Sequence, residues 1–323
     1  MNTLDYDLIV VGAGPAGLCA GMYGGRAKLK TAVLEKGVPG GEILNTDIVE
    51  DYPGFLSITG PDLAARFEEH ARKFGAEIVP DIALEIYSEG DQHIIVGEEA
   101  TYRAPAVIVT AGGNPRKLGV PGEERLSARG VSYCAVCDGP FFEGQDIVVV
   151  GGGDAAIEEG TYLTKYARKL HVIHRRDELR AQKIIQERLF AQENAEVIWD
   201  TVVDEIGGDE RVEYVTLRNV KNGTSERLDA GAVFVFIGFT PNSNIFRDHI
   251  EHNEAGYLIT NSLMETSIPG IYAAGDIREQ LAKQVTTAVG DATTAALAAE
   301  KYIEALRHEE AHAESEPATA IAG

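Results

Sequence analysis

The chain has 323 residues, 44 % hydrophobic and 25 % charged, a composition that fits a globular protein long enough for two domains. Its 51 acidic and 29 basic side chains leave a formal charge of −22, which repels phosphate backbones and argues against a nucleic-acid partner. No stretch reads as a membrane span and no basic segment leads into a long apolar run at the N-terminus, so a cytoplasmic location is expected.

Residues 8–11 form the first predicted strand, followed by Gly12-Ala13-Gly14-Pro15-Ala16-Gly17 and a predicted helix over 18–28. Strand, tight turn and helix are what a dinucleotide-binding fingerprint requires. Its glycines let the backbone turn sharply and approach a pyrophosphate, whose charge sits at the helix N-terminus. Cys19, inside that helix, reads as a small packed hydrophobe. The next strand, 31–34, ends in Glu35, 23 residues after Gly12. A carboxylate at about that distance hydrogen-bonds a free ribose 2′-OH, so this site suits FAD or NAD.

After Gly40-Gly41 and a loop through Pro53-Gly54, the pattern predicts an amphipathic helix over 61–74 and strands near 77–79, 93–96 and 106–110. The breaker stretch Ala111-Gly112-Gly113-Asn114-Pro115 follows, and a second unit begins near Lys117. It carries Cys134-Ala135-Val136-Cys137. Three cysteines in all cannot build a four-cysteine zinc site, so no metal is expected and the pair reads as a reversible dithiol. A strand over 146–150 leads into a second fingerprint, Gly151-Gly152-Gly153-Asp154-Ala155-Ala156, and a helix over 155–166. Where the first unit has an acid, this one reads His174-Arg175-Arg176, with Arg180 one helical turn on. A guanidinium recognises a phosphate by paired hydrogen bonds, so this site is expected to prefer NADP over NAD. A strand over 232–237 and the turn Gly238-Phe239-Thr240-Pro241-Asn242 close the unit.

What remains is too short for a third nucleotide domain. It contains Ile271-Tyr272-Ala273-Ala274-Gly275-Asp276, a strand ending in a Gly-Asp pair, and a helix from about Thr286. It is expected to complete the first domain, leaving the second as an insertion on two connecting strands. The expected fold is therefore α/β, with two Rossmann-like three-layer domains: 1–116 with 243–323, and 117–242 inserted between them. Residues 308–323, rich in Ala and Glu and without periodicity, are expected to form a disordered tail.

The ordered set of Gly12 to Gly17, Gly40-Gly41, Cys134-Ala135-Val136-Cys137-Asp138-Gly139, Gly151 to Glu159, His174-Arg175-Arg176-Asp177 and Ala274-Gly275-Asp276 covers almost the whole chain. It resembles the low-molecular-weight thioredoxin reductases of bacteria and archaea. The resemblance implies FAD in the discontinuous domain, NADPH in the inserted one, a homodimer, and a thioredoxin-like protein disulfide as partner. Carried onto this sequence, it assigns Gly12, Gly14, Pro15, Ala16, Gly17, Glu35, Lys36, Gly41, Glu42, Asp51, Thr110, Asp276, Lys283, Gln284 and Val285 to FAD. To NADPH it assigns Gly151, Gly153, Asp154, Ala155, Ala156, Glu158, Glu159, His174, Arg175, Arg176, Arg180, Ile237 and Gly238.

By the same pattern Cys137 lies nearer the flavin, Cys134 attacks the partner disulfide, and Asp138 moves protons during thiol exchange. A thiolate is the nucleophile in such exchange, so a neighbouring proton carrier is useful, although Asp138-Gly139 also reads as a plain turn pair. The implied relay runs from NADPH through FAD and the Cys134/Cys137 pair to an external disulfide, with the inserted domain rotating between half-reactions. Four positions depart from the family pattern: Glu42 and Asp51 stand where amides are usual, Ala155 replaces a hydroxyl residue, and Lys283 replaces a frequent arginine. Other readings kept are a dithiol oxidase or ferredoxin-linked flavoprotein of this fold, and a redox sensor without turnover.

Overall fold

The structure is a computed structural model that describes residues 2–46 and 48–315. The chain separates into two units, one made of Met1–Leu44, Ile48–Gly113 and Pro241–Gly323, the other of Asn114–Thr240 with the short stretch Asn45–Asp47. Both main crossings fall inside the breaker stretches, where the strands Gly113–Pro115 and Phe239–Pro241 pair.

In the first unit a five-stranded parallel sheet runs in the order Ile271–Ala273, Ala106–Val109, Leu8–Val11, Thr31–Glu35, Glu77–Pro80. Every residue of Leu8–Val11 and Ala106–Val109 is buried, because a parallel sheet is covered on both faces and its strands read as unbroken apolar runs. Side chains still alternate along each strand. Leu8, Val10, Val33 and Ile108 pack with residues of the helices Pro15–Arg26 and Val285–Ser315. Their neighbours Ile9, Val11, Leu34, Val107 and Val109 pack with Ile86, Ile95 and Tyr102 of a second sheet, ordered Thr3–Asp5, Thr101–Ala104, Gln92–Gly97, Ala83–Glu89. The long C-terminal helix presents Ala288, Ala292, Ala295, Ala296 and Ala299 to the core, small residues at helical spacing that permit close packing.

The second unit repeats the plan. Its parallel sheet is ordered Val131–Ser132, Ala232–Phe236, Asp146–Gly151, Lys169–Ile173, Ala195–Ile198. Ile147, Val149, Leu170 and Val172 cluster with residues of the helices Asp154–Leu163 and Lys183–Phe190. Val148, Val150 and Ile173 meet Val203, Val215 and Leu217 from an antiparallel sheet of Thr201–Gly207, Tyr214–Asn219 and Ser225–Asp229. In each unit the fingerprint strand is central, with the next strand on one side and a later strand on the other. Strand order reverses there, which opens a crevice at the carboxyl ends of the strands.

Boundaries differ modestly from expectation. The first helix begins at Pro15 rather than 18, since proline at a first helical turn has its φ already set. In the second sheet of each unit only the strand near 93–96 was expected, within Gln92–Gly97, because strands such as Ser225–Asp229 are almost wholly exposed and polar. The expected tail requires a correction: residues 308–315 continue the helix Val285–Ser315. Ala and Glu are strong helix formers, and the helix extends outward from the packed Ala299 and Ile303. Residues 316–323 lie outside the described residues.

One buried acid ties the second sheet of the first unit together. Asp81, 5 % exposed, accepts hydrogen bonds from the backbone N–H groups of Ile82, Glu98, Glu99 and Ala100 and from the Tyr102 hydroxyl. Burial pushes its pKa up, but these donors outweigh burial and hold the carboxyl below its ordinary value. Its contribution to stability is therefore complete above the unfolded value of about 4 and is lost as pH falls through the lower folded value. Asp81→Asn should unfold more easily at neutral pH by roughly 1–3 kcal/mol, with the gap from the parent closing in acid. Urea titrations at neutral and acid pH measure this; an equal gap at both would show that the charge is immaterial.

Candidate cofactor and dithiol sites

The first fingerprint is built by contact as well as by conformation. Gly12 has φ of 106°, where an L side chain is strained, and a Cβ there would lie 2.7 Å from the Thr110 carbonyl oxygen. At Gly17 a Cβ would lie 1.7 Å from the Gly12 carbonyl oxygen, so the helix can approach its strand only as glycine. Gly14 differs, because a Cβ there would have only the Gly41 Cα near it, at 3.9 Å. First and third glycines thus close the turn while the second keeps a face open, as a pyrophosphate requires.

Several expected FAD residues meet at this turn. The Thr110 hydroxyl donates to the carbonyls of Val11 and Gly12 at 3.0 and 2.8 Å, and Gly40 N–H donates to the Ala13 carbonyl at 2.8 Å. Glu35 Oε2 accepts from Ala13 N–H at 2.8 Å and Oε1 from Gly37 N–H at 2.9 Å. Each oxygen keeps a further acceptor position for a ribose hydroxyl. On the other side Gly275, φ 76°, abuts Ala16: a Cβ at Gly275 would lie 3.0 Å from that of Ala16. This brings the Gly275-Asp276 turn beside the fingerprint helix. Lys36, Glu42 and Asp51 are exposed, Glu42 in the short 3-10 helix Gly41–Asn45 and the others on loops.

Burial holds the Asp276 carboxyl above its ordinary value, with Lys283 opposing the shift and Asp291 adding to it. Burial likewise holds the Lys283 ammonium below its usual value, against the attraction of Asp276. Lys283 Nζ donates to the Asp276 carbonyl at 2.7 Å and lies 3.9 Å from the Tyr257 ring centre, a cation–π contact. Gln284 N–H donates to Thr287 Oγ1 at 3.1 Å, and Val285, which opens the long helix, packs against a cluster of Ile43, Val49, Leu63 and Ala64.

Sequence reasoning missed the support beneath this turn. Asp291 accepts from Gly275 N–H at 3.2 Å and forms a mostly buried ion pair with Arg278 at 3.1 Å. Arg278 also reaches Thr260 and Gln280, and Gln280 Nε2 donates to the Gly275 carbonyl. Only the proximity of Arg278 to Asp276 in sequence hinted at this, because Asp291 reads as one more polar helix residue.

In the second cradle a Cβ at Gly151 would collide with the Phe236 carbonyl oxygen at 2.4 Å and with Ala156 Cβ at 2.5 Å, whereas Gly153 has nothing within 4 Å. The open middle glycine recurs. Asp154 accepts from the backbone and side-chain N–H groups of Gln182 at 2.7 and 3.1 Å, and Arg180 N–H donates to the Gly152 carbonyl at 2.8 Å. These bonds fold the 175–182 segment onto the fingerprint. His174 is 5 % exposed; its ring nitrogens face the carbonyls of Gly151 at 2.8 Å and Glu178 at 2.9 Å. Its side chain is committed to shaping the loop. Arg175, Arg176 and Arg180 are exposed, as are Ala155, Glu158 and Gly238; Glu159 and Ile237 are half-buried and Ala156 is buried.

Cys134 and Cys137 form a disulfide, with Cα atoms 5.4 Å apart. Cys134 is half-buried and extended, just before the single helical turn Ala135–Asp138, and its Sγ accepts from Cys137 N–H at 3.2 Å. Cys137 is exposed, and Asp138 is half-buried at the end of the turn. Cys19 is buried, its Sγ 3.5 Å from the Val289 carbonyl, and burial pushes its thiol pKa up, which makes it inert.

Residues 6–292 match the family model for pyridine nucleotide-disulphide oxidoreductases. The thioredoxin reductase of Bacillus subtilis is 47 % identical over 303 residues, covering 94 % of this chain and 96 % of that protein. Among solved structures, the thioredoxin reductase of Lactococcus lactis superposes with a TM-score of 0.92 at 44 % identity, over 93 % of this chain and 99 % of the other. That of T. acidophilum gives 0.89 at 32 % identity, over 94 % and 99 %.

The glycines separate by what a methyl group would meet. Gly17→Ala should cost at least about 1–3 kcal/mol of stability through overpacking. Gly153→Ala should fold with its melting temperature within about 3 °C of the parent but bind the nucleotide of the second cradle several-fold more weakly. Thermal melts with nucleotide titration read both; equal losses of stability would show that the face at Gly153 is not open, and unchanged nucleotide affinity in folded Gly153→Ala that it has no ligand to admit.

Proposed function

From the premise that the chain belongs to the pyridine nucleotide-disulphide oxidoreductases, and within them to the low-molecular-weight thioredoxin reductases, we propose that it reduces the disulfide of a thioredoxin-like protein with electrons from NADPH. It is an FAD- and NADPH-dependent oxidoreductase. The observation that carries the substrate assignment is the Cys134–Cys137 disulfide, formed in the same unit as the arginine-bearing cradle. The relatives at 44–47 % identity are named thioredoxin reductases, so the dithiol-oxidase, ferredoxin-linked and sensor readings are not favoured.

The residues fit both cofactors. Gly12, Gly14 and Gly17, with Glu35, Gly41, Thr110 and the Asp276 turn, would hold FAD, whose acid-ended strand suits a ribose without a 2′-phosphate. Pro15, Ala16, Lys36, Glu42, Asp51, Lys283, Gln284 and Val285 complete the proposed set. Gly151, Gly153, Asp154, Ala155, Ala156, Glu158, Glu159, Ile237 and Gly238 would line the NADPH cradle, with Arg175, Arg176 and Arg180 on the 2′-phosphate and His174 behind the loop. When bound, the flavin supplies the two-electron chemistry that links hydride to disulfide.

Once the pair is reduced, the Cys134 thiolate attacks one sulfur of the partner disulfide, forming a mixed disulfide and releasing the other partner sulfur as a thiolate. Cys137 then attacks Cys134 Sγ, which restores the Cys134–Cys137 disulfide and releases the second partner thiol. Two electrons pass to the partner, and Asp138, one residue beyond Cys137, would carry the protons. We also propose that the protein works as a homodimer in the cytoplasm. None of the helices among the described residues is long and apolar enough to cross a membrane.

Anaerobic addition of NADPH should bleach the bound flavin, and oxidised thioredoxin should restore its absorbance. Cys134→Ser should keep the bleaching and lose thioredoxin reduction. Bound FAD that NADPH fails to bleach would assign the donor elsewhere. Replacing Arg175 and Arg176 together by Ala should raise KM for NADPH roughly 10- to 100-fold and leave that for NADH within about twofold. Steady-state kinetics with both donors reads this, and an unchanged preference would remove the arginines from phosphate recognition.

A further inference from the structure

Glu123 is 1 % exposed and has no part in the nucleotide cradles. A carboxylate sealed from water is costly unless donors are aimed at it. Three are: Oε1 accepts from Leu118 N–H at 2.8 Å and the Tyr133 hydroxyl at 2.7 Å, and Oε2 accepts from Gly119 N–H at 2.7 Å. Leu118 and Gly119 lie on the segment by which the chain enters the second unit, and Tyr133 immediately precedes Cys134. Burial and the bond to Glu123 hold the Tyr133 hydroxyl far above the ordinary tyrosine pKa, so it remains a donor at every pH the protein meets.

The residues on either side of Tyr133 are also pinned. Ser132 Oγ accepts from Cys134 N–H at 3.1 Å and donates to the Cys134 carbonyl at 3.3 Å. With the Tyr133 side chain anchored, Cys134 is held extended, at φ −138° and ψ 105°. In that conformation the N–H of Cys137 points at Cys134 Sγ, 3.2 Å away. When the disulfide is reduced, the same N–H faces a sulfur that can ionise, and a hydrogen bond to the charged form favours it.

We propose that Glu123 is a positioning residue for the dithiol: through the Tyr133 hydroxyl it holds Cys134 in the conformation in which the Cys137 amide stabilises the Cys134 thiolate, and it ties that geometry to the entry segment at 118–119. The proposal rests on Cys134 being the attacking sulfur. It is independent of which protein disulfide is attacked, because thiolate formation precedes any partner.

The test uses the full-length, FAD-loaded protein, reduced anaerobically with dithiothreitol and then freed of it. Iodoacetamide alkylation is followed across the pH range of thiol ionisation, with the modified cysteine located by mass spectrometry and melting temperatures measured alongside. Tyr133→Phe should melt within about 3 °C of the parent. Its Cys134 should be alkylated about threefold more slowly near neutral pH, with the ionisation midpoint about half a unit higher. Glu123→Gln should shift the midpoint in the same direction. Ile185→Val, which removes one methyl group from the core of the same unit, should leave the midpoint unchanged. An unaltered Cys134 profile in folded Tyr133→Phe overturns the proposal, as does an equal shift in Ile185→Val, which would reveal general loosening. Alkylation of the parent first at Cys137 would instead overturn the attacking-sulfur assignment, and the proposal with it.

Discussion

Much of the first unit depends on how closely the helix Pro15–Arg26 approaches the strand before it. With Gly17 set so near the Gly12 carbonyl that no side chain fits, the helix N-terminus lies at the carboxyl edge of the sheet. In the proposed FAD site its unpaired N–H groups would be offered to a pyrophosphate at the open face of Gly14. Glu35, Thr110, Gly40 and the Gly275 turn are held around this point by bonds to the same few backbone groups or by contact with the same helix. A shift of the helix by the thickness of one methyl group would disturb all of them.

The second unit meets the same requirement with other residues. Ala156 stands where the first unit has Gly17, and the space is recovered by Gly151, whose missing side chain leaves room for the Ala156 methyl group. His174 occupies the position equivalent to Glu35 in the residue count and, like it, bonds to the fingerprint loop, but through an imidazole that is buried and aimed at backbone carbonyls. That leaves the exposed Arg175, Arg176 and Arg180 to set the charge at this cradle. A local cluster of fixed cations can recognise a phosphate on a chain whose formal charge is −22, because screening by salt confines surface fields to about 10 Å.

The dithiol shows how little regular structure a reactive site needs when the flanking backbone is pinned. Cys137 sits on a single helical turn that Cys134 immediately precedes, and one turn has no stability of its own. Ser132, Tyr133 and Glu123 supply the order from outside that turn, through hydrogen bonds that each have one buried partner, Glu123 or Ser132. Low local dielectric strengthens such bonds and makes each one costly to lose.

The two fingerprints, the acid-against-arginine contrast, the redox spacing of the cysteines and most parallel strands were legible in the sequence, because each rests on neighbours within a few residues or on unbroken apolar runs. Most antiparallel strands were not: 93–96 was, but Ala83–Glu89 and Ser225–Asp229 are largely exposed edge strands, each paired to its neighbour in a hairpin, and no unbroken apolar run marks them. Nor was the end of the long helix, where packing at Ala299 and Ile303 carries helical order into a stretch without periodicity. The sequence by itself determined which chemistry the chain carries, because turn glycines, an acid or arginines after the second strand, and paired thiols are all set by local spacing. Only the tertiary structure decided what supports that chemistry: Asp291 and Arg278 beneath the Gly275 turn, and Glu123 beside Tyr133. Buried charges are tolerated only where the fold brings donors to them from elsewhere in the chain, and sequence spacing does not record that meeting.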